Sequence, residues 1–390
     1  MGQPPLSTIL IEDIAFNGPG EFLFGIDLQF FTVKNKFSGV KNIPSGIHLF
    51  HYATPVSTEK GTGESVVSNL RYGFWFECKE GDILVIKWDP ENESFRRIYK
   101  DEIKDEVVQL DYSKAISDLG SKYTLMINYP QNDSLKLWQD KLSDHIDEEI
   151  LEDLLDNTNL ELNTITASKQ ENDLLKDALL RKQDNGNLSK ELDSQPQINY
   201  TPITFKLNKP FTSVEEVTSN YLDKSWYISE HYPDREFLLA ELQVSFIHYV
   251  VFGNYCSMVQ WLNLLKVLSM SGKLLLSSKS FTFTVLGILK AQLSQLPKEY
   301  LVGGDLQNQC SIDLEVYCEI MENYMELFKV WNVELCCGKL KLQGMIKQVW
   351  EEILDLQKRE FGLDFNALKA EKDREIEDED GPVIVAYSQE

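Results

Sequence analysis

The sequence predicts an α+β protein: an N-terminal β-sandwich or barrel-like domain, then an all-α helical domain, then a disordered C-terminal tail. Three observations carry this. Short apolar runs separated by turn residues fill residues 1–138. Apolar residues recur at helical spacing from residue 200 to about 362. The stretch Glu371–Asp380 is nearly all charged and has too little apolar surface to fold alone.

Within residues 1–138 the strand candidates are Phe22–Phe24, Leu28–Val33, Ile47–Tyr52, Tyr72–Phe76, Ile83–Trp88 and Tyr123–Tyr129. Polar turns such as Glu80-Gly81-Asp82 separate them. Pro44-Ser45-Gly46 reads as a turn feeding the third strand, which holds His48 and His51. Three residues apart on one strand, the two rings face opposite sides and cannot chelate one metal. The polar stretch Ser57–Asn69 reads as a loop.

Residues 139–199 read as an acidic helical connector and a flexible linker. Ile146, Ile150, Leu151, Leu154 and Leu155 share one helical face among crowded acids. A second amphipathic piece covers Glu171–Arg181, and a polar run follows to Pro196. Residues 200–367 form the helical domain. Thr212 and Glu215 read as a capping box for a helix ending near Ser229. Further helices are expected over Asp234–Phe252, Ser257–Met270, Lys279–Leu296, Ile312–Trp331 and Lys339–Phe361, the last stopped by Gly362. Residues 368–390 are the tail.

The net charge of −24 disfavours direct nucleic-acid binding and an anionic membrane surface, since both lean on Lys and Arg. A basic protein partner is the natural complement, although charge also serves solubility. The six cysteines, at 78, 256, 310, 318, 336 and 337, make no Cys-x-x-Cys pair. They predict neither a zinc framework nor a disulfide scaffold, and a reducing compartment is expected. The N-terminus shows no basic region followed by an apolar run, and Leu6 stands where a myristoylation signal after Gly2 needs Ser or Thr. No dinucleotide, Walker, Gly-x-Ser-x-Gly or His-Glu-x-x-His motif is present, so no cofactor is expected.

Two features invite a functional reading from the residues alone. The tail segment Pro382-Val383-Ile384-Val385-Ala386-Tyr387 is apolar and β-prone on a charged tether. It suits addition to a partner's sheet edge, docking within the chain, or disorder. The serines around Ser269 and Ser271 read either as a loop open to phosphorylation or as an ordinary solvated loop.

Several blocks, in order along the chain, resemble one known family. They are Gly25-Ile26-Asp27, Phe31-Thr32-Val33, Phe37 through Gly46 with His48 and His51-Tyr52, and Arg71 through Cys78. They continue in Gln170 through Lys176, Tyr221 through Tyr227, Glu241-Leu242-Gln243, Phe252 through Tyr255, and Gln260-Trp261. Together they resemble the AAR-two splicing factor family, in its fungal type. Between Ser269 and Phe365 the likeness is one of helical pattern only.

The resemblance implies a non-catalytic U5 small nuclear ribonucleoprotein assembly factor found in cytoplasm and nucleus. It would bind the large U5 scaffold protein at its RNase H-like and JAB/MPN-type domains, partly through the tail strand, and delay docking of the U5 RNA helicase. Two other readings stand beside it: a hydrolase or transferase with a carboxylate–histidine site, and a helical-domain trafficking adaptor.

Overall fold

The computed structural model describes residues 6–12, 22–33, 37–53, 55–56, 66–67, 70–89, 91–98, 106–131, 133–155, 160–181, 195–204, 213–298 and 344–364. The expected helix Ile312–Trp331, Thr212 and the tail segment Pro382–Tyr387 lie outside them. Elements are numbered among the described residues; the short strands β6 (Pro55–Val56) and β7 (Val66–Val67) pair with each other, and α2 spans Asp133–Leu137. The chain divides into two compact units, residues 1–202 with 243–258, and residues 203–242 with 259–390.

The first unit holds two five-stranded sheets. One is ordered β10 (Ser94–Ile98), β9 (Ile83–Asp89), β1 (Ser7–Glu12), β4 (Gly39–Ile43), β11 (Ile127–Asn128). It is mixed: β1 runs parallel to β9 and antiparallel to β4. The other is ordered β12 (Glu161–Asn163), β8 (Tyr72–Cys78), β5 (Gly46–Ala53), β2 (Phe22–Ile26), β3 (Gln29–Val33), antiparallel throughout. Phe24, Phe50, Phe74, Trp88 and Phe95 meet in the core formed by both sheets. The outer face of the first sheet packs Leu10, Val85 and Ile98 against Ala115, Ile116 and Leu119 of helix α1 (Glu106–Lys122). Strands buried on both faces lose the apolar–polar alternation of half-exposed ones, which is why Leu49 and Trp75 are as buried as Phe50 and Phe74.

Several elements differ from the sequence reading. β1, β4 and β10 were not anticipated, and α1 falls inside a stretch read as β. Tyr123–Tyr129 opens as a 3-10 turn, Tyr123–Leu125, and keeps only the two-residue strand β11. The stretch read as a helical connector and linker does hold α3 (Glu148–Leu154), capped by Asp147, and α4 (Lys169–Arg181). It also supplies β12 to the second sheet, plus a short pair of β13 (Ala167–Ser168) with β14 (Gln197–Ile198). β12 pairs with Tyr72–Phe74 at the start of β8, and the Leu160 carbonyl accepts from the Trp75 amide next to it.

The second unit is helical. α5 (Val214–Leu222) and α6 (Ser225–His231) replace the single helix expected there. The N-cap is Ser213, whose hydroxyl accepts from the Glu216 amide, so the cap sits one residue beyond the Thr212–Glu215 pairing. α7 (Arg235–Phe252) and α8 (Tyr255–Ser269) follow, then the short α9 (Gly272–Ser277), α10 (Lys279–Gln295) and α11 (Met345–Phe361). Gly362 ends α11 in the left-handed conformation, at φ 71°, where a Cβ would be strained. The core includes Trp261, Leu264, Leu265, Ile288, Leu289, Trp350 and Ile353. Lys290 of α10 pairs with Glu352 of α11 at 2.6 Å, and Lys298, just beyond α10, pairs with Glu360 of α11 at 2.9 Å. The residues from Gln243 to Phe252 of α7, and the start of α8 to Met258, belong to the first unit.

Candidate functional site

Asp27 ends β2 at φ 55°, and its turn aims the side chain into the interior. One carboxylate oxygen accepts from the Leu49 amide at 3.0 Å, and the other faces His48 Nδ1 at 2.9 Å. The second oxygen also accepts from the Tyr129 hydroxyl. His48 Nε2 lies 3.0 Å from the Pro44 carbonyl. A carboxylate and a carbonyl thus take up both ring nitrogens.

His51 lies on the other face of β5. It donates from Nε2 to the backbone carbonyl of Asp27 at 3.0 Å and meets Phe30 and Phe252 edge-on. Burial holds it neutral, with its pKa lowered to about 3. A Cβ on Gly25 would overlap the His51 ring, so glycine is what lets the histidine seat there. Burial likewise pushes the Cys78 thiol up to about 12, which removes it as a nucleophile at neutral pH.

A second polar chain lies in the same unit. The Trp75 indole donates to His248 Nε2 at 2.8 Å. Burial lowers the His248 pKa to about 3, so the ring is neutral and carries its proton on Nδ1, facing the Tyr200 hydroxyl at 3.1 Å. Tyr200 donates to Ser257 Oγ at 2.9 Å, and Ser257 donates to Asn254 Oδ1 at 2.7 Å. The Asn254 amide then donates to the carbonyls of Thr166, Thr164 and Asn163 at 2.8, 3.2 and 3.3 Å. Gln243 spends its amide similarly: it donates to the Lys141 carbonyl and the Asp144 carboxylate and accepts from the His145 amide.

Serine, tyrosine and histidine in sequence invite an enzymatic reading, but the geometry denies it. Trp75, His248 and Ser257 are wholly buried, and the chain ends on backbone carbonyls. What it does chemically is fix one orientation for each member and join β8, α7, the start of α8 and the residues preceding β13. His231 stacks on Tyr227 at 3.9 Å, and its Nδ1 faces that residue's carbonyl. Among the described residues, no group of three or more His, Cys, Asp or Glu side chains could hold a metal.

Ser269 and Ser271 are not in a solvated loop. Ser271 is wholly buried and donates to the Val267 carbonyl at 2.7 Å; Ser269 is buried and donates to the Lys266 carbonyl at 2.8 Å. At the α8–α9 joint the Ser271 amide bonds to the Leu268 carbonyl, so the Ser271 hydroxyl satisfies the Val267 carbonyl that the ended helix leaves over. The Ser269 hydroxyl adds a second bond to the Lys266 carbonyl, which already accepts from the Met270 amide. A phosphate on either needs that joint to open. The tail residues Pro382, Val383, Ile384, Val385, Ala386 and Tyr387 lie outside the described residues.

Asp27, Tyr129, Tyr200, Asn254 and Ser257 were not singled out in the sequence as chemistry-bearing. Their partners stand tens of residues away, and no local spacing shows such a contact. The available signal was indirect: Asp27 and Asn254 fall in blocks that carry the family resemblance.

These features define a class: an α+β protein of two units whose buried polar residues act as internal cross-links. The comparisons with known proteins make the class specific. The family model described as the AAR2 N-terminal domain matches residues 7–156, and that of the AAR2 C-terminal repeat region matches residues 200–366. The chain belongs to the AAR2 family. It is 25% identical over 386 residues to the A1 cistron-splicing factor AAR2 of Saccharomyces cerevisiae, covering 95% of this chain and 96% of that protein. It is 24% identical over 308 residues to the human protein AAR2 homolog, covering 74% and 77%, and 24% identical over 309 residues to that of Mus musculus, with the same coverage.

Proposed function

We propose that the chain is a non-catalytic assembly factor of the U5 small nuclear ribonucleoprotein, acting in pre-mRNA splicing. It binds the large U5 scaffold protein at its RNase H-like and JAB/MPN-type domains and delays docking of the U5 RNA helicase. It works in cytoplasm and nucleus. The observation that carries this reading is family membership across both halves, with a named splicing factor aligned over nearly the whole chain. The buried polar chains support the passive role, because none opens to a substrate.

On this reading the segment Val383–Tyr387 adds a strand to the partner's sheet while the two units supply weaker contacts, and the linked contacts gain from effective concentration. The charge of −24 favours a basic partner surface. Order of addition tests the helicase part. Scaffold fragment loaded first with this chain should capture helicase slowly, at the rate at which the chain leaves. Helicase capture at an unchanged rate would remove the delaying role.

A further inference from the structure

We propose that β3 is a docking edge, to which a partner adds an apolar strand carrying acidic residues at its N-terminal end. The two five-stranded sheets have four edges: β10, β11, β12 and β3. β11 and β12 have only two and three residues. On β10 the Phe95 amide is taken by the Tyr52 hydroxyl at 3.2 Å, and the exposed side chain is Arg96. β3 has five residues, Gln-Phe-Phe-Thr-Val, with no charge, no proline and an unbroken register against β2. Folded proteins blunt their edges with charge, proline, bulges or shortness, because an open edge recruits another strand.

The register shows which groups β3 offers. Asp27 donates its amide to the Leu49 carbonyl of β5, so the odd residues of β2 bond towards β5 and the even ones towards β3. The bonded pairs are then Ile26–Gln29, Phe24–Phe31 and Phe22–Val33. Phe30 and Thr32 direct their N–H and C=O groups away from the sheet, and among the described residues nothing meets them. The same two residues have the exposed side chains of β3. Phe30 is 39% exposed, yet its ring is held by His51 edge-on at 4.7 Å and by the Arg71 guanidinium 4.8 Å above it. An apolar or β-branched residue on an added strand would pack beside that ring.

Charge selects the occupant. This sheet is antiparallel throughout, and continuing that order puts the N-terminal end of the added strand beside the C-terminal end of β3. There the sequence continues Lys34-Asn35-Lys36, two cations in a chain of net charge −24. Screening over about 8 Å at physiological salt lets such near charges outweigh the distant ones. Acidic residues at that end of the strand are their complement. This inference does not rest on the function proposed above: there the tail adds to a partner's sheet, whereas here a partner adds to this one.

The probe is the peptide acetyl-Glu-Glu-Val-Thr-Val-Thr-Val-amide, titrated into the full isotope-labelled chain and followed by NMR. Saturable shifts and slowed hydrogen exchange are expected at the Phe30 and Thr32 amides. Only one alternate set of peptide amides can face β3, so N-methylation of that set should abolish binding and N-methylation of the other should leave it. Lysines in place of the two glutamates should weaken binding about tenfold. Thr32→Pro removes an outward N–H that the sheet does not use, a position where an edge strand tolerates proline, and should weaken binding about tenfold or more. Absent shifts at Phe30 and Thr32, or equal binding by the two methylated peptides, would overturn the assignment. So would a lysine peptide as tight as the glutamate one, or unchanged affinity in Thr32→Pro with a native spectrum.

Discussion

Tyr200→Phe removes one oxygen and interrupts the chain from Trp75 to Asn254 at its middle. The hydroxyl receives the His248 Nδ1 proton at 3.1 Å and donates to Ser257 at 2.9 Å. Two hydrogen bonds at about 1 kcal/mol each are lost, and a buried imidazole N–H is left facing a phenyl edge. The expected cost is about 2–4 kcal/mol. Hydrogen exchange is the suitable assay, because peptides covering β8 report on the strand that Trp75 anchors. Exchange there should accelerate about 30-fold or more, since each 1.4 kcal/mol is a factor of ten. Ser257→Ala should accelerate it less, because the Tyr200 oxygen keeps its bond from His248. Protection of β8 within about threefold of wild type in Tyr200→Phe would refute the view that the chain holds these elements together.

Other outcomes follow from the same structure. Asp27→Ala strips the partner from His48, Tyr129 and the Leu49 amide and places alanine at φ 55°, so denaturant unfolding should show a loss of about 3–5 kcal/mol. Gly25→Ala forces the His51 ring from its seat and should cost about 1–3 kcal/mol by the same measurement. His51 and His248 are held neutral to about pH 3 in the fold, against an ordinary 6.5 when unfolded. The unfolded chain therefore binds more protons between those values, and stability is full above the ordinary value and falls with pH below it. Each ring contributes a slope of up to about 1.4 kcal/mol per pH unit there, checked as proton uptake on unfolding near pH 5. Ser271→Asp puts a charge where a buried hydroxyl meets the Val267 carbonyl, and should lower the unfolding midpoint more than Ser277→Asp at an exposed position.

The fold class was readable because it rests on period. The run Phe237–Phe252 and the stripe Trp261, Leu264, Leu265 and Leu268 announce buried helix, and Tyr72–Phe76 announces strand. What was not readable depends on distant partners. Ser7–Glu12 is buried on both sides and lacks the alternation that marks a half-exposed strand. Glu161–Asn163 is a strand because Tyr72–Phe74 lies beside it, not because of its own three residues. The serines at 269 and 271 looked like loop because serine is common there, but a short helix follows at once and both side chains turn back onto carbonyls of the preceding one. In the polar chains the histidines were noticed for their chemistry, while Asp27, Tyr200 and Asn254 acquire meaning only once the sheets and helices are brought together.

The central claim is that this chain grips the U5 scaffold protein, with its tail as one of the contacts. Calorimetric titration of the full chain into the RNase H-like plus JAB/MPN-type fragment, repeated with residues 377–390 removed, tests it most directly. The account predicts tight binding by the full chain, weakened tenfold or more by the truncation through lost linkage. Tight binding unaffected by truncation would contradict the tail strand, and no binding by the full chain would contradict the claim itself.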